Sequence, residues 1–174
     1  KGLIYGKYRM LTSKDFSGIL TQGGTILGTS RQPFKMMRVP DEKGLDKVEA
    51  MKQTYYKLCL DCLVILGGNG TQKTANLLRE EGLNIIHLPK TIDNDLYGTD
   101  HCPGFASAAK YVATSCMELY HDARVYDKNM ICVVEIMGRH AGWLAGSASV
   151  ATYMGQGPDL IYLPLGVKCD GFLA

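Results

Sequence analysis

The sequence lacks an excess of charge of either sign. Its 19 lysine and arginine residues and 17 aspartate and glutamate residues are interspersed and give a formal charge of +2. It also lacks an apolar run long enough to cross a membrane, and it shows no signal-peptide pattern. We therefore expect no nucleic-acid partner, no membrane partner and a cytoplasmic location.

A complete zinc-binding cysteine set is also missing. Of the six cysteines, Cys59 and Cys62 form one CxxC pair, and no second pair accompanies it. We expect these cysteines to be reduced thiols that pack in a reducing compartment, with a redox pair as the alternative. The chain has no internal repeat and no low-complexity segment.

Apolar runs alternate with amphipathic stretches along the chain. Leu63–Leu66 is a continuous apolar run bounded by glycine, as is typical of a central parallel strand. This alternation predicts an α/β fold, a doubly wound and mostly parallel sheet with helices on both faces. The predicted strands are 62–67, 84–88, 130–136 and 160–163, and the predicted helices lie within 41–59, 71–81, 104–123 and 141–153.

The segment Pro89–Asp95 carries two carboxylates, a hydroxyl and a cation directly after a predicted strand. Open α/β sheets bind ligands at the carboxyl ends of their strands. Asp93 and Asp95 are two residues apart, so in an extended segment their side chains would leave on the same side. That spacing suits a general base beside a metal-linked carboxylate. The alternative is an Asx-rich turn without a catalytic role.

Two further segments indicate anion binding. Gly67–Thr71 lies between a predicted strand and a predicted helix, where glycines let the backbone approach phosphates and a helix N-terminus offers free N–H groups. In Glu135–Trp143, Gly138 permits close approach and Arg139 offers a planar fork for phosphate or carboxylate. A glycine turn without ligand is the alternative for the first segment, and we interpret His140 as structural.

Together these segments resemble the phosphofructokinase family. The matching pieces are Gly23–Arg31, Gly67–Thr71, Pro89–Asp100, Pro103–Phe105 and Val133–Trp143. The glycine loop alone is shared with NAD kinases and diacylglycerol kinases, whereas Thr91–Asp95 together with Met137–Arg139 is specific to this family. The resemblance implies the middle of a two-domain fold. Residues 1–104 would be a donor-phosphate-binding α/β domain without its first strand and loop, and 105–174 the truncated start of a sugar-phosphate-binding domain. We therefore expect the chain to be incomplete on its own.

The resemblance also implies a reaction, phosphoryl transfer to the 1-hydroxyl of fructose 6-phosphate in glycolysis. Asp93 matches the general base, Asp95 the second carboxylate, Thr91 a residue contacting substrate and phosphoryl group, and Arg31 an arginine that bridges the phosphates. The sugar substrate would contact Thr91, Asp93, Asp95, Met137, Gly138 and Arg139. The donor phosphates would contact Gly67, Gly68, Asn69, Gly70, Thr71 and Lys90. A homo-oligomer, dimer or tetramer, is implied as well.

Different residues indicate different phosphoryl donors, and the metal ligands depart from the family's usual set. In this family Gly70 is typical of ATP users and Lys90 of pyrophosphate users, so we expect ATP, with pyrophosphate as the alternative. Mg²⁺ would be held by Asp93 and Asp95, and only weakly by Asn69, which stands where the family usually carries a magnesium-linked aspartate. Asn69 also leaves open a non-catalytic homologue that binds a sugar phosphate or nucleotide.

Overall fold

Residues 1–164, the part of the chain that the structure, a computed structural model, describes, contain two strands and five α-helices. Three short 3₁₀ helices precede them in this part, at Ser13–Phe16, Ile19–Thr21 and Phe34–Met36. The elements that follow are α1 (Lys47–Lys57), β1 (Leu63–Gly67), α2 (Asn69–Glu80), β2 (Ile85–Pro89), α3 (Phe105–Ala123), α4 (Trp143–Gly146) and α5 (Ser149–Tyr153). Within residues 1–164, no helix combines the length and the apolar character needed to span a membrane.

Strands β1 and β2 pair in parallel. The Leu63 N–H donates to the Asn84 carbonyl (2.9 Å) at one end, and the Lys90 N–H donates to the Gly67 carbonyl (3.0 Å) at the other. Because α2 connects the two strands, the unit is a βαβ crossover, which places both carboxyl ends at the same edge. The predicted α/β class and parallel pairing are therefore confirmed.

The two strands bury one face only. Leu63, Ile65 and Ile85 pack against the core, whereas Val64 and Ile86 remain 49% and 50% exposed. The other face of these two strands is thus not covered by a second layer within residues 1–164. An apolar run shows that both faces of a strand are apolar, but it does not show whether a second layer covers each face.

Two compact units divide the chain. The first comprises Lys1–Ile65 with Gly70–His87, and the second comprises Leu66–Asn69 with the described residues from Leu88 onward. The core of the first unit includes Met37, Met51 and Leu78. The core of the second joins α3 to α5 through small side chains, namely Ala113, Cys116, Ala148 and Ala151. Small residues at such an interface allow the helices to approach closely.

Helix α1 begins later than the charged stretch 41–59 suggested. The Asp46 carboxylate caps it by accepting from the N–H groups of Val48 (2.9 Å) and Glu49 (3.1 Å). Capping of this kind satisfies N–H groups that have no partner within the helix, so the helix begins at Lys47, the residue that follows the N-cap. The side chain of Lys47 is buried and donates to the carbonyls of Met36 and Val39, as Nζ to O distances of 3.0 and 2.7 Å show.

Helix α1 ends in a left-handed residue that is not glycine. Cys59 has φ +50°, its N–H donates to Tyr56 O (3.0 Å), and the next N–H, of Leu60, donates to Tyr55 O (3.2 Å). This pair of bonds is a Schellman motif, in which glycine usually occupies the left-handed position, as Gly82 does after α2. Cys59 and Cys62 are free thiols, but Cys59 is exposed and only Cys62 is partly buried, so the predicted packing is not observed for Cys59.

An ion-paired cluster in the first unit joins α1 to the end of α2. Lys52 Nζ lies 3.3 Å from Glu81 Oε2 and 3.4 Å from Glu49 Oε2, and an Arg38 guanidinium nitrogen lies 3.0 Å from Glu81 Oε1. The hydrogen bond from Lys52, followed by that from Arg38, lowers the pKa of Glu81. The same contact with Glu81 raises the pKa of Lys52.

Three sequence predictions differ from the structure. Segments 130–136 and 160–163 are not strands, because a strand requires a hydrogen-bonded neighbour and the one sheet within residues 1–164 consists of β1 and β2. The predicted helix 141–153 is two short helices, α4 and α5. Helix α2 starts at Asn69, so it includes part of the segment predicted to be a glycine loop.

Candidate active site

The loop after β1 and the segment after β2 lie side by side. The Gly67 carbonyl accepts from the Lys90 N–H at 3.0 Å. A Cβ built on Gly68 would lie 3.5 Å from the Thr91 Cβ, which is van der Waals contact. The two predicted motifs therefore meet at the carboxyl ends of the paired strands, where parallel sheets commonly bind ligands.

The first turn of α2 offers an open anion-binding geometry. The helix starts at Asn69, so its first N–H groups lack partners within the helix. A Cβ built on Gly70 meets no other atom within 4 Å, and the residue has no positive φ. Space beside Gly70 is therefore available to a ligand, and a side chain there would not disturb the fold. Gly70 and Thr71 belong to the first compact unit.

The segment after β2 is a turn and is not extended. The Thr91 hydroxyl oxygen accepts from the Asp93 N–H at 3.2 Å, and Asn94 has φ +53°. The period-two expectation that Asp93 and Asp95 leave on the same side therefore does not apply. The local structure is the Asx-rich turn that the sequence offered as its alternative.

A buried carboxylate oxygen within this turn has no partner. Asp93 Oδ1 is fully buried and accepts no hydrogen bond from residues 1–164. Buried polar atoms are nearly always paired, and leaving one unpaired costs about 1–3 kcal/mol. An unpaired buried acceptor retained at the end of a strand is consistent with an atom reserved for a ligand or a proton.

Asn94 fixes the turn from its far side. Its amide nitrogen donates to the Asp100 carbonyl (3.0 Å), and its amide oxygen accepts from the Cys102 N–H (2.8 Å). Thr91 additionally forms a parallel bridge with Gly104, which has φ +102° and immediately precedes α3. Sequence reasoning did not assign Asn94 a role. The signal that could have found it is the preference of asparagine for left-handed positions, at the centre of the acidic motif.

The Arg139 segment forms a tight turn in the second unit. The Ala141 N–H donates to the Gly138 carbonyl at 2.9 Å, with φ +147° at Gly138 and φ +53° at Arg139. A Cβ on Gly138 would lie 2.5 Å from the Ala141 carbonyl oxygen, so only glycine fits there. A left-handed arginine is a strained conformation of the kind that clusters at functional sites.

The cations predicted to bind phosphate are exposed. Arg31, in the first unit, and Lys90 and Arg139, in the second, form no ion pair with residues 1–164 and remain available to an anion. Met137 is 65% exposed beside Arg139, and His140 is exposed in the same turn. His140 is exposed and forms no hydrogen bond with residues 1–164, so the structure supports neither the predicted structural role nor an acid–base role.

Comparison with known proteins finds relatives in one family. The sequence matches the family model described as Phosphofructokinase over residues 1–167. It is 52% identical over 171 residues to the ATP-dependent 6-phosphofructokinase of Spirochaeta thermophila, a match that covers 94% of this chain and 44% of that protein. The chain thus spans less than half the length of this relative.

Two solved structures are similar over most of the chain. The phosphofructokinase of Saccharomyces cerevisiae aligns with a TM-score of 0.71 at 28% identity, covering 87% of this chain and 22% of that one. A pyrophosphate-dependent phosphofructokinase of Marinobacter aquaeolei aligns with a TM-score of 0.60 at 28% identity, covering 80% of this chain and 35% of that one. The similar structures thus include an enzyme named for a donor other than ATP.

Proposed function

Because this chain belongs to the phosphofructokinase family, we propose that it forms part of an enzyme that phosphorylates fructose 6-phosphate. ATP is the proposed donor, and fructose 1,6-bisphosphate is the proposed product of this glycolytic step. The observation that carries the proposal is the buried, unpaired Oδ1 atom of Asp93 at the end of β2. A general base requires an acceptor atom that is not already occupied by a donor of the protein.

In the proposed reaction, Asp93 accepts the proton of the sugar's 1-hydroxyl. The hydroxyl oxygen forms a bond to the terminal phosphorus as the bond from that phosphorus to the donor's bridging oxygen breaks, which releases ADP. Thr91, whose hydroxyl accepts from the Asp93 N–H, is the proposed contact for the transferred group. Such transfer depends mainly on positioning and on neutralising charge.

The exposed cations have separate proposed roles. Arg31 would bridge the donor phosphates and stabilise charge in the transition state, because a guanidinium offers a planar fork to phosphate oxygens. Arg139, with Met137 and Gly138, would line the sugar phosphate. The lack of competing ion pairs within residues 1–164 supports both assignments, since a cation already paired with a carboxylate would bind phosphate less strongly.

A magnesium ion fits these residues only as a partly protein-bound ion. Asp93 and Asp95 supply two carboxylates and Asn69 an amide oxygen, while residues 1–164 contain no cluster of three or more acidic, histidine or cysteine ligands. Mg²⁺ commonly keeps several waters and binds substrate phosphates, so one or two protein carboxylates suffice. When bound, it would neutralise charge on the donor phosphates.

Two proposals concern organisation. Residues 1–104 would be the donor-phosphate-binding domain and residues 105–174 the start of the sugar-phosphate-binding domain, in a homo-oligomer of two or four subunits. A cytoplasmic location stays a prediction.

The second candidate donor is pyrophosphate, which Lys90 and the similarity to the Marinobacter aquaeolei enzyme favour. The test is kcat/KM of the intact protein with fructose 6-phosphate and either ATP or pyrophosphate. We expect ATP to be used, because the open space beside Gly70 leaves room for a nucleotide's α-phosphate. Turnover with pyrophosphate and none with ATP would contradict the proposed donor. Turnover with neither would contradict the proposed enzyme.

Matched variants make the donor test sharper. Gly70→Asp should lower kcat/KM for ATP far more than for pyrophosphate, because it adds bulk and negative charge beside a polyanion. Since Gly70 has open space around it, this variant should keep the wild-type melting temperature. Lys90→Gly should instead harm pyrophosphate use more, because an ammonium neutralises a small anionic donor. Equal effects on both donors would contradict the assigned roles.

A further inference from the structure

Asn94 uses both ends of its side-chain amide to close the loop that follows Asp93. Its nitrogen donates to the Asp100 carbonyl at 3.0 Å and its oxygen accepts from the Cys102 N–H at 2.8 Å. The residue is only 7% exposed and takes a left-handed backbone conformation, φ +53°. Asparagine is among the few residues besides glycine that adopt this conformation readily.

The neighbouring carboxylate oxygen cannot fix its own position. Asp93 Oδ1 is buried and forms no hydrogen bond with the described residues 1–164, so its location depends on the backbone that carries it. That backbone is held before the carboxylate by the bond from the Asp93 N–H to the Thr91 hydroxyl (3.2 Å). After the carboxylate, the next side-chain anchor is Asn94, which ties the backbone to the segment leading into α3.

We propose that Asn94 is a positioning residue for the Asp93 carboxylate, an inference that depends on the proposed function of Asp93 as a base. Asn94 acts through Asp93 and does not contact substrate. Its two bonds and its left-handed backbone set the direction in which the preceding side chain projects. A displacement of about 1 Å in such a group can cost on the order of 10²-fold in rate.

Neither close substitute preserves this arrangement. Aspartate could accept from the Cys102 N–H, but it could not donate to the Asp100 carbonyl, and it would add a buried charge between Asp93 and Asp95. Glycine keeps the left-handed backbone at no steric cost but loses both bonds. Asn94→Gly therefore removes the anchoring bonds without introducing backbone strain.

A double-mutant cycle in the intact protein tests the proposal. We expect Asn94→Gly to lower kcat by roughly 10- to 100-fold, with KM for fructose 6-phosphate changed less than about 3-fold. In the Asp93→Asn background, where no base remains to be positioned, the same change should lower the residual kcat by less than about 2-fold. Groups that act as a unit show this non-additivity.

The cycle needs a control variant and a result that would contradict the proposal. Asn84→Gly removes another asparagine-to-backbone bond, from Nδ2 to the Asp61 carbonyl (2.9 Å), at the opposite end of β2, and it should leave kcat unchanged. An equal fold-loss from Asn94→Gly in both backgrounds would overturn the proposal, because a general structural defect would act in both. Wild-type turnover in Asp93→Asn alone would instead overturn the proposed base.

A second variant covers the case in which Asn94→Gly does not fold. Asn94→Asp retains the acceptor for the Cys102 N–H, loses the donor to the Asp100 carbonyl and adds a negative charge at position 94. Taken through the same cycle, it should again reduce kcat mainly when Asp93 is present. A reduction of the same factor in the Asp93→Asn background would overturn the proposal in the same way.

Discussion

Replacing Asp93 with asparagine should separate activity from stability. The change keeps the size of the side chain but removes a charge whose Oδ1 atom is buried without a partner. An unpaired buried polar atom costs about 1–3 kcal/mol, more when it is charged. Because an amide leaves one polar atom in the same place, only part of that cost is recovered, on the order of 1 kcal/mol. An amide cannot accept the proton, so kcat should fall by about 10² to 10⁴.

The assay measures kcat, KM and melting temperature on the intact protein carrying Asp93→Asn. We expect the loss to lie in kcat, with KM for fructose 6-phosphate little changed and a melting temperature equal to or above that of the wild type. Asp127→Asn, the same change at an exposed carboxylate, is the control and should match the wild type in all three quantities. Near-wild-type kcat would refute the assignment of the base. A marked fall in melting temperature would refute the reasoning about the unpaired oxygen.

Three further predictions concern backbone and charge. Gly138→Ala should lower the free energy of unfolding by about 1–3 kcal/mol and weaken binding of fructose 6-phosphate, because the added Cβ would lie 2.5 Å from the Ala141 carbonyl oxygen. Gly155→Ala is the control for the strain of a positive φ alone, because a Cβ there meets no atom within 4 Å. Cys59→Gly should raise the free energy of unfolding by about 0.5–1 kcal/mol and with it the melting temperature, because glycine removes the strain of the positive φ. Cys59→Ala keeps that strain and should not raise the melting temperature. Because the pKa of Glu81 is lowered in the folded state, its contribution to stability is present above about pH 4.5 and is lost as the pH falls through the folded-state pKa. Glu81→Gln should therefore make the melting temperature depend less on pH in the acid range. An unchanged acid dependence would contradict the ion pairing of Glu81.

The parts of the fold that could be predicted from the sequence are those determined locally. Helix α3 was predicted over 104–123 and is observed over Phe105–Ala123, since a long amphipathic pattern specifies a helix by itself. Strands β1 and β2 lie within a residue of their predicted bounds, because short apolar runs next to turn residues restrict the alternatives. The parallel pairing follows from the helix between them.

The parts that could not be predicted depend on distant partners. Segment 130–136 has the composition of a strand, but a strand forms only where another backbone supplies hydrogen bonds, and composition does not report that partner. The exposed outer sides of Val64 and Ile86 have the same cause. The left-handed backbone at Cys59 could not be inferred either, because cysteine has no preference for that conformation.

The candidate site shows why both interpretations of Pro89–Asp95 were needed. The turn chemistry that explains the segment without a function is present, in the Thr91 and Asn94 bonds, and it satisfies the side-chain polar atoms that flank the carboxylate. These hydrogen bonds stabilise a turn in which one buried atom, Asp93 Oδ1, has no hydrogen-bond partner among residues 1–164. A turn selected for stability alone would gain from pairing that oxygen or replacing it. The Asx-rich turn and the general base are therefore complementary, since the turn holds in place an acceptor for which no donor within residues 1–164 competes.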